Sequence, residues 1–175
     1  MPKKEYTLRE IINVPDMITF FNLISGLTSI YFAFNNHFLI SIFFLVIAAI
    51  LDFLDGKSAS ILDQKTDFGK QIDSLSDLIS FGVAIAFFGF ALAGSKDQIN
   101  WILLVSLNFY ILCGAIRLAR YNISKLTKTF IGMPITMNVG IFILLFFINF
   151  PVKFYWLIYF ISGILMISQI RVKKI

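Results

Sequence analysis

Apolar runs long enough to cross a lipid bilayer recur along this chain, and they constrain its fold more than any other feature. A helix rises about 1.5 Å per residue, so about 20 apolar residues span a hydrocarbon core roughly 30 Å thick. Six such runs are read, at 16–35, 38–58, 73–94, 98–120, 134–150 and 153–170. Between them lie "NNH" (35–37), a loop over 59–72, "GSKDQ" (94–98), "YNISKLTKTFIGMP" (121–134) and "NFPVK" (149–153). Pro134 and Pro151 suit helix starts, where the missing N–H has no helical partner to lose. Only 14% of residues are charged and 58% are hydrophobic, whereas soluble domains carry about a quarter charged residues. The expected fold is an all-α integral membrane domain over residues 1–175, with six transmembrane helices.

Orientation follows from Lys and Arg, which concentrate on the cytoplasmic side. Lys3, Lys4 and Arg9 precede the first span, and Lys57, Lys65 and Lys70 lie between spans two and three. Arg117, Arg120, Lys125 and Lys128 lie between spans four and five, and Arg171, Lys173 and Lys174 follow span six. Of the 15 basic residues this leaves only Lys96 and Lys153 on the far side. Both termini are therefore expected in the cytoplasm, with the protein multi-pass in the cell membrane. Residues 1–15 form a cytoplasmic juxtamembrane segment, in which "EYTLREIINV" reads either as a short interfacial helix or as a loop. The polar start lacks the apolar core of a cleaved signal. The net charge of +5 is accounted for by these loops, so no nucleic-acid partner is implied. A lone Cys113 forms no internal disulfide, and a lone His37 argues against a zinc site.

Acidic residues are distributed less economically. Six of the ten fall in "DFLDGKSASILDQKTDFGKQIDSLSD", between two apolar runs. Asp52 lies 14 residues beyond Phe38, which is about 21 Å into the core if the second span enters there. Asp55 lies deeper still, and Asp73 and Asp77 open a span running the opposite way. All four carboxylates can meet near the cytoplasmic face. Asp52, Asp55, Gly56 and Ala59 share one helical face, and Asp73 and Asp77 are one turn apart on another. Each unpaired Asp within a span costs about 2.5–3.5 kcal/mol, so something must offset four of them. Carboxylates without His or Cys suit a hard divalent cation such as Mg2+, Mn2+ or Ca2+. Four can hold two such ions, a geometry suited to a pyrophosphate. The plainer alternative is a solvated loop in which these residues pair with Lys57, Lys65 and Lys70, and Asp63 and Asp67 fit that alternative better.

The same stretch resembles the signature of the CDP-alcohol phosphatidyltransferases, D-x2-D-G-x2-A-R-x8-G-x3-D-x3-D. Asp52, Asp55, Gly56, Ala59, Gly69, Asp73 and Asp77 keep every spacing, and Ser60 stands where the family has Arg. "DSLSDLISFGVA" (73–84), "RLARYN" (117–122), "GMPIT" (132–136) and "NVPDMITFFNLISG" (13–26) resemble the serine-using branch, although Pro15-Asp16 replaces the usual Pro-Asn. The resemblance implies six transmembrane helices and a homodimer. It also implies transfer of a phosphatidyl group from a CDP-lipid to L-serine with release of CMP. The lipid is either CDP-diacylglycerol or an archaeal ether lipid. By the same resemblance Asp52, Asp55, Asp73 and Asp77 bind Mg2+ or Mn2+, with two ions per site and Asp77 as the candidate general base. Gly56, Ala59, Ser60 and Gly69 would line the CDP-lipid, with Thr19 and Asn22 as polar contacts. For Thr19 and Asn22, helix–helix hydrogen bonding is the alternative. Arg117 and Arg120, whose planar forks match carboxylates and phosphates, would take the serine carboxylate or a lipid phosphate. The alternative for both is snorkelling to headgroups. Ser60 shifts neutralisation of the pyrophosphate to Lys57 or to these arginines. Gly26, Gly82 and Gly89 are candidates for close helix packing. Three other functions compete: transfer to glycerol phosphate or inositol phosphate, CDP-lipid binding without catalysis, and cation transport.

Overall fold

The computed structural model describes residues 12–62, 66–94, 100–123, 129–169 and 171–173. The expected interfacial helix lies largely outside these residues, as do Asp63, Lys65, Lys96, Lys125, Lys128 and Lys174. Among the described residues, four helices are long and apolar enough to cross a membrane: α1 (Val14–Phe34), α2 (Phe38–Ile61), α3 (Asp67–Ala93) and α4 (Trp101–Ile123). A short strand β1 (Thr129–Ile131) follows, then α5 (Met137–Phe147), α6 (Val152–Ile167) and strand β2 (Arg171–Lys173).

Local chemistry explains the boundaries. The main-chain N–H of Asn13 donates to the Asp16 carboxylate at 2.8 Å, and Pro15 occupies the first turn of α1. Asn36 adopts φ +60°, a conformation Asn tolerates, and turns the chain from α1 into α2. Ser25, Ser29 and Ala33 of α1 and Ser41 of α2 are buried where these two helices pack, and the Ser29 and Ser41 hydroxyls are 2.8 Å apart. Such small side chains let helix backbones approach closely. On its other side α1 packs on α3. A Cβ on Gly26 would fall 2.7 Å from the Ser80 Cα, and the Ser76 and Ser80 hydroxyls donate to the Thr19 and Asn22 carbonyls. α4 packs along α6. Phe81, Tyr110, Phe142 and Tyr159 are buried at the centre, with the last two rings stacked at 4.4 Å. Large apolar side chains such as Phe21, Phe43, Val105 and Ile116 are exposed on the outside, as a lipid-facing surface requires.

Three differences from the sequence reading stand out. The loop expected over 59–72 shrinks to a link, because α2 continues to Ile61 and α3 begins at Asp67. Thr66 caps α3 by accepting the Gly69 N–H at 2.9 Å, with acidic Asp67 in the first turn. The last two helical segments are shorter than the runs that suggested them. α5 has 11 residues, and the α-helical part of α6, Tyr155–Ile167, has 13. Gly132 at φ +78° and a turn through Pro134 delay α5 to Met137. Pro151 leads instead into a 3-10 turn, Val152–Phe154. The antiparallel pairing of β1 with β2 adds strand to a fold read as all-α; two three-residue strands are too short to show alternation.

Candidate active site

Asp52 and Asp55 lie in the last part of α2, and Asp73 and Asp77 in the first part of α3. One carboxylate oxygen from each of Asp52, Asp55 and Asp73 lies within 4.8 Å of the others. Asp77 stands against Asp52 and within electrostatic reach of Arg117 on α4. The site is recessed: Asp55 is 5% and Asp77 8% exposed. Thr19 of α1 donates to Asp55 at 2.7 Å and fixes that carboxylate from behind.

Two observations favour a cation here. The Asp73 Oδ1 and Asp77 Oδ1 atoms are buried without a hydrogen-bond donor, a costly state for carboxylate oxygens unless a charge comes to them. The donors are all carboxylate oxygens, which suit a hard divalent ion. The solvated-loop alternative fares worse. Lys70 donates to the Asn122 carbonyl, and the Lys57 ammonium lies 6.0 Å from the Phe53 ring centre.

The remaining candidates separate. Gly56 is exposed, and a Cβ there would meet nothing within 4 Å, so α2 presents bare backbone beside Asp55. Ala59 is half-buried and Ser60 exposed on the same stretch. Gly69 is a packing position: a Cβ would fall 2.7 Å from Asp16 Oδ1 and 3.1 Å from Thr66 Oγ1. Thr19 is spent on Asp55, while Asn22 is fully buried with both side-chain amide atoms unpartnered. Gly26 and Gly89 are tight packing positions against Ser80 and Tyr159, and Gly82 is buried against Leu78. The two arginines diverge. Arg117 is buried and within electrostatic reach of Asp77 and Asp52, with its Nε unpartnered. Arg120 donates to the carbonyls of Met166, Ile167 and Ser168 at the end of α6.

Sequence reasoning missed Asp16, which is buried next to Gly69 and within electrostatic reach of Asp55. Its spacing of three residues from Thr19 was the available signal. It also missed Tyr110, whose hydroxyl donates to the Phe81 carbonyl at 2.6 Å. No sequence pattern pairs those two residues.

These features define a helical integral membrane protein with a recessed carboxylate centre built from two helices. The CDP-alcohol phosphatidyltransferase family model matches residues 12–171, and the chain belongs to that family. It is 36% identical over 172 residues to a CDP-diacylglycerol–serine O-phosphatidyltransferase of Methanocaldococcus jannaschii, covering 97% of this chain and 78% of the relative. The like-named protein of Bacillus subtilis is 37% identical over 124 residues, covering 70% and 68% of the two chains. That of Helicobacter pylori is 31% identical over 168 residues, covering 90% and 70%.

Proposed function

We propose that this protein transfers the phosphatidyl group of a CDP-lipid to L-serine and releases CMP. The observation that carries the reading is the convergence of three signature carboxylates within 4.8 Å, in a chain similar along nearly its whole length to a serine phosphatidyltransferase. In the reaction the serine hydroxyl oxygen forms a bond to the phosphatidyl phosphorus. The bond from that phosphorus to the oxygen of CMP breaks, and the hydroxyl proton leaves.

Asp52, Asp55 and Asp73 would hold the divalent ions, read as two Mg2+ or Mn2+, with Asp77 sharing in their binding. When bound, such ions supply positive charge to the pyrophosphate and to the charge that grows on the leaving CMP. Asp77 accepts the proton of the serine hydroxyl; its Oδ1 has no other hydrogen-bond partner. Thr19 keeps Asp55 in one orientation through its 2.7 Å bond. Gly56 leaves α2 open for the nucleotide, and Arg117 binds the serine carboxylate or a lipid phosphate near Asp77. Arg117 also supplies positive charge where Ser60 has replaced the motif arginine. The carboxylates lie near the cytoplasmic face of the cell membrane, with both termini on that side, six membrane-crossing segments and a homodimeric assembly.

The test is CMP release by the purified protein, given a CDP-lipid and Mn2+ or Mg2+, with and without L-serine, alongside Asp77→Asn. Serine-dependent release abolished by the substitution is the expected outcome. Release that needs glycerol phosphate or inositol phosphate would reassign the acceptor, and metal-dependent lipid binding without release would leave a binding protein.

A further inference from the structure

From the course of α3 and the face of α4 that meets it, we infer that the Tyr110 hydroxyl is a positioning element for Asp77. The inference rests on the role given to Asp77 above. α3 changes pitch immediately after that residue: Leu78–Val83 form a π-helical turn, in which the Ala84 N–H reaches back to the Ile79 carbonyl. A π turn inserts one extra residue into a helix, and each residue turns an α-helix by about 100°. The half of α3 that carries Asp73 and Asp77 is thereby rotated relative to the half buried in the core. Its orientation depends on whether the wide turn persists.

The wide turn is held from outside the helix. Tyr110 is fully buried and donates to the Phe81 carbonyl at 2.6 Å, inside the turn. Ser80, also within it, donates to the Asn22 carbonyl of α1 at 3.1 Å. A phenylalanine would fill the same core volume as Tyr110 without burying a hydroxyl, so the hydroxyl is explained by its bond rather than by packing. Arg117 lies seven residues further along α4, two turns on and on the same face, and is within electrostatic reach of Asp77. One face of α4 therefore carries both the tyrosine that bonds the wide turn and the arginine within electrostatic reach of Asp77.

Tyr159 provides an internal control. It is equally buried and donates to the Ile85 carbonyl at 2.7 Å, beyond the wide turn and in regular α-helix. The experiment compares Tyr110→Phe with Tyr159→Phe in the full-length protein in detergent. It reads kcat and KM for the CDP-lipid, thermal unfolding, and Mn2+ binding from the free-ion electron paramagnetic resonance signal. Small misplacements of catalytic groups cost up to about a hundredfold in rate, so Tyr110→Phe is expected to lower kcat by about tenfold or more with KM for the CDP-lipid little changed. Mn2+ binding weakens with it, because Asp73 rides on the same segment, by about tenfold as for other changes behind a metal ligand. Tyr159→Phe is expected to lower the melting temperature similarly while keeping kcat and Mn2+ affinity. Equal losses of kcat in the two variants would overturn the inference, as would Tyr110→Phe that melts earlier with kcat and Mn2+ affinity intact. If the wild-type protein released no CMP, the transferase reading would fall, and the Mn2+ comparison would still decide the role of Tyr110.

Discussion

Gly26→Ala probes how closely α1 must approach α3 for the carboxylates to meet. The added Cβ would fall 2.7 Å from Ser80 Cα and 2.8 Å from Ser80 Cβ, against an ordinary contact of 3.4–4 Å. The shortfall is at least about 0.7 Å, and the obstructing Cα is backbone that cannot rotate away. α3 must therefore shift from α1, carrying Asp73 and Asp77 away from Asp55, which Thr19 ties to α1. Overpacking of this kind costs about 1–3 kcal/mol, and a displacement near 1 Å at a reacting group costs about a hundredfold in rate. The assay is serine-dependent CMP release together with thermal unfolding in detergent. Both are expected to fall, kcat by more than the loss of folded protein explains. Ser80→Gly in the same chain removes the Cβ and hydroxyl but not the Cα, so it should restore stability in part. Wild-type kcat and melting temperature in Gly26→Ala would refute the close approach of α1 and α3 and the geometry built on it.

Three further substitutions test the site and its surroundings. Asp73→Asn removes one of the clustered negative charges. It should raise the melting temperature without metal, since like charges are relieved, while losing about a hundredfold or more in CMP release; added Mn2+ should stabilise the wild type and not the variant. Arg120→Met should cost about 1–3 kcal/mol of stability, through the carbonyls left at the end of α6, with the KM for serine little changed. Arg117→Met should raise that KM instead, and a matching rise in Arg120→Met would return Arg120 to the substrate site.

The first four helices were legible because long apolar runs mark them, and the carboxylate cluster was legible because motif spacing sets helix faces. What lies opposite a face is a long-range matter. Gly69 reads as a ligand-facing glycine in the motif, yet its neighbour is Asp16, more than fifty residues earlier. Arg117 and Arg120 look equivalent at a spacing of three, but the end of α6 captures the second. The wide turn after Asp77 was invisible, since "LISFGV" carries no mark that separates a π turn from an α turn. The shortening of α5 was partly legible in Gly132 and Pro134, whose backbone preferences compete with the apolar run around them.

The cations around the site favour a ligand role for the carboxylates over a structural one. If Asp52, Asp55, Asp73 and Asp77 served only to join α2 to α3, the basic side chains at the same end would be expected to neutralise them, because a buried charge left unpaired is strongly destabilising. Lys70 and Arg120 are instead engaged with main-chain carbonyls of α4 and of the end of α6. The hydroxyls of Ser76 and Ser80 likewise donate to carbonyls of α1. Among the described residues Lys57 lies over the Phe53 ring and Arg117 is within electrostatic reach of Asp52 and Asp77, while Asp73 Oδ1 and Asp77 Oδ1 are without donors. Apart from Thr19, which donates to Asp55, these described donors are spent on backbone, which keeps the Asp73 and Asp77 oxygens available for a cation from outside. The cost falls on the apo protein, which is why Asp73→Asn is expected to stabilise the chain while destroying what the site does.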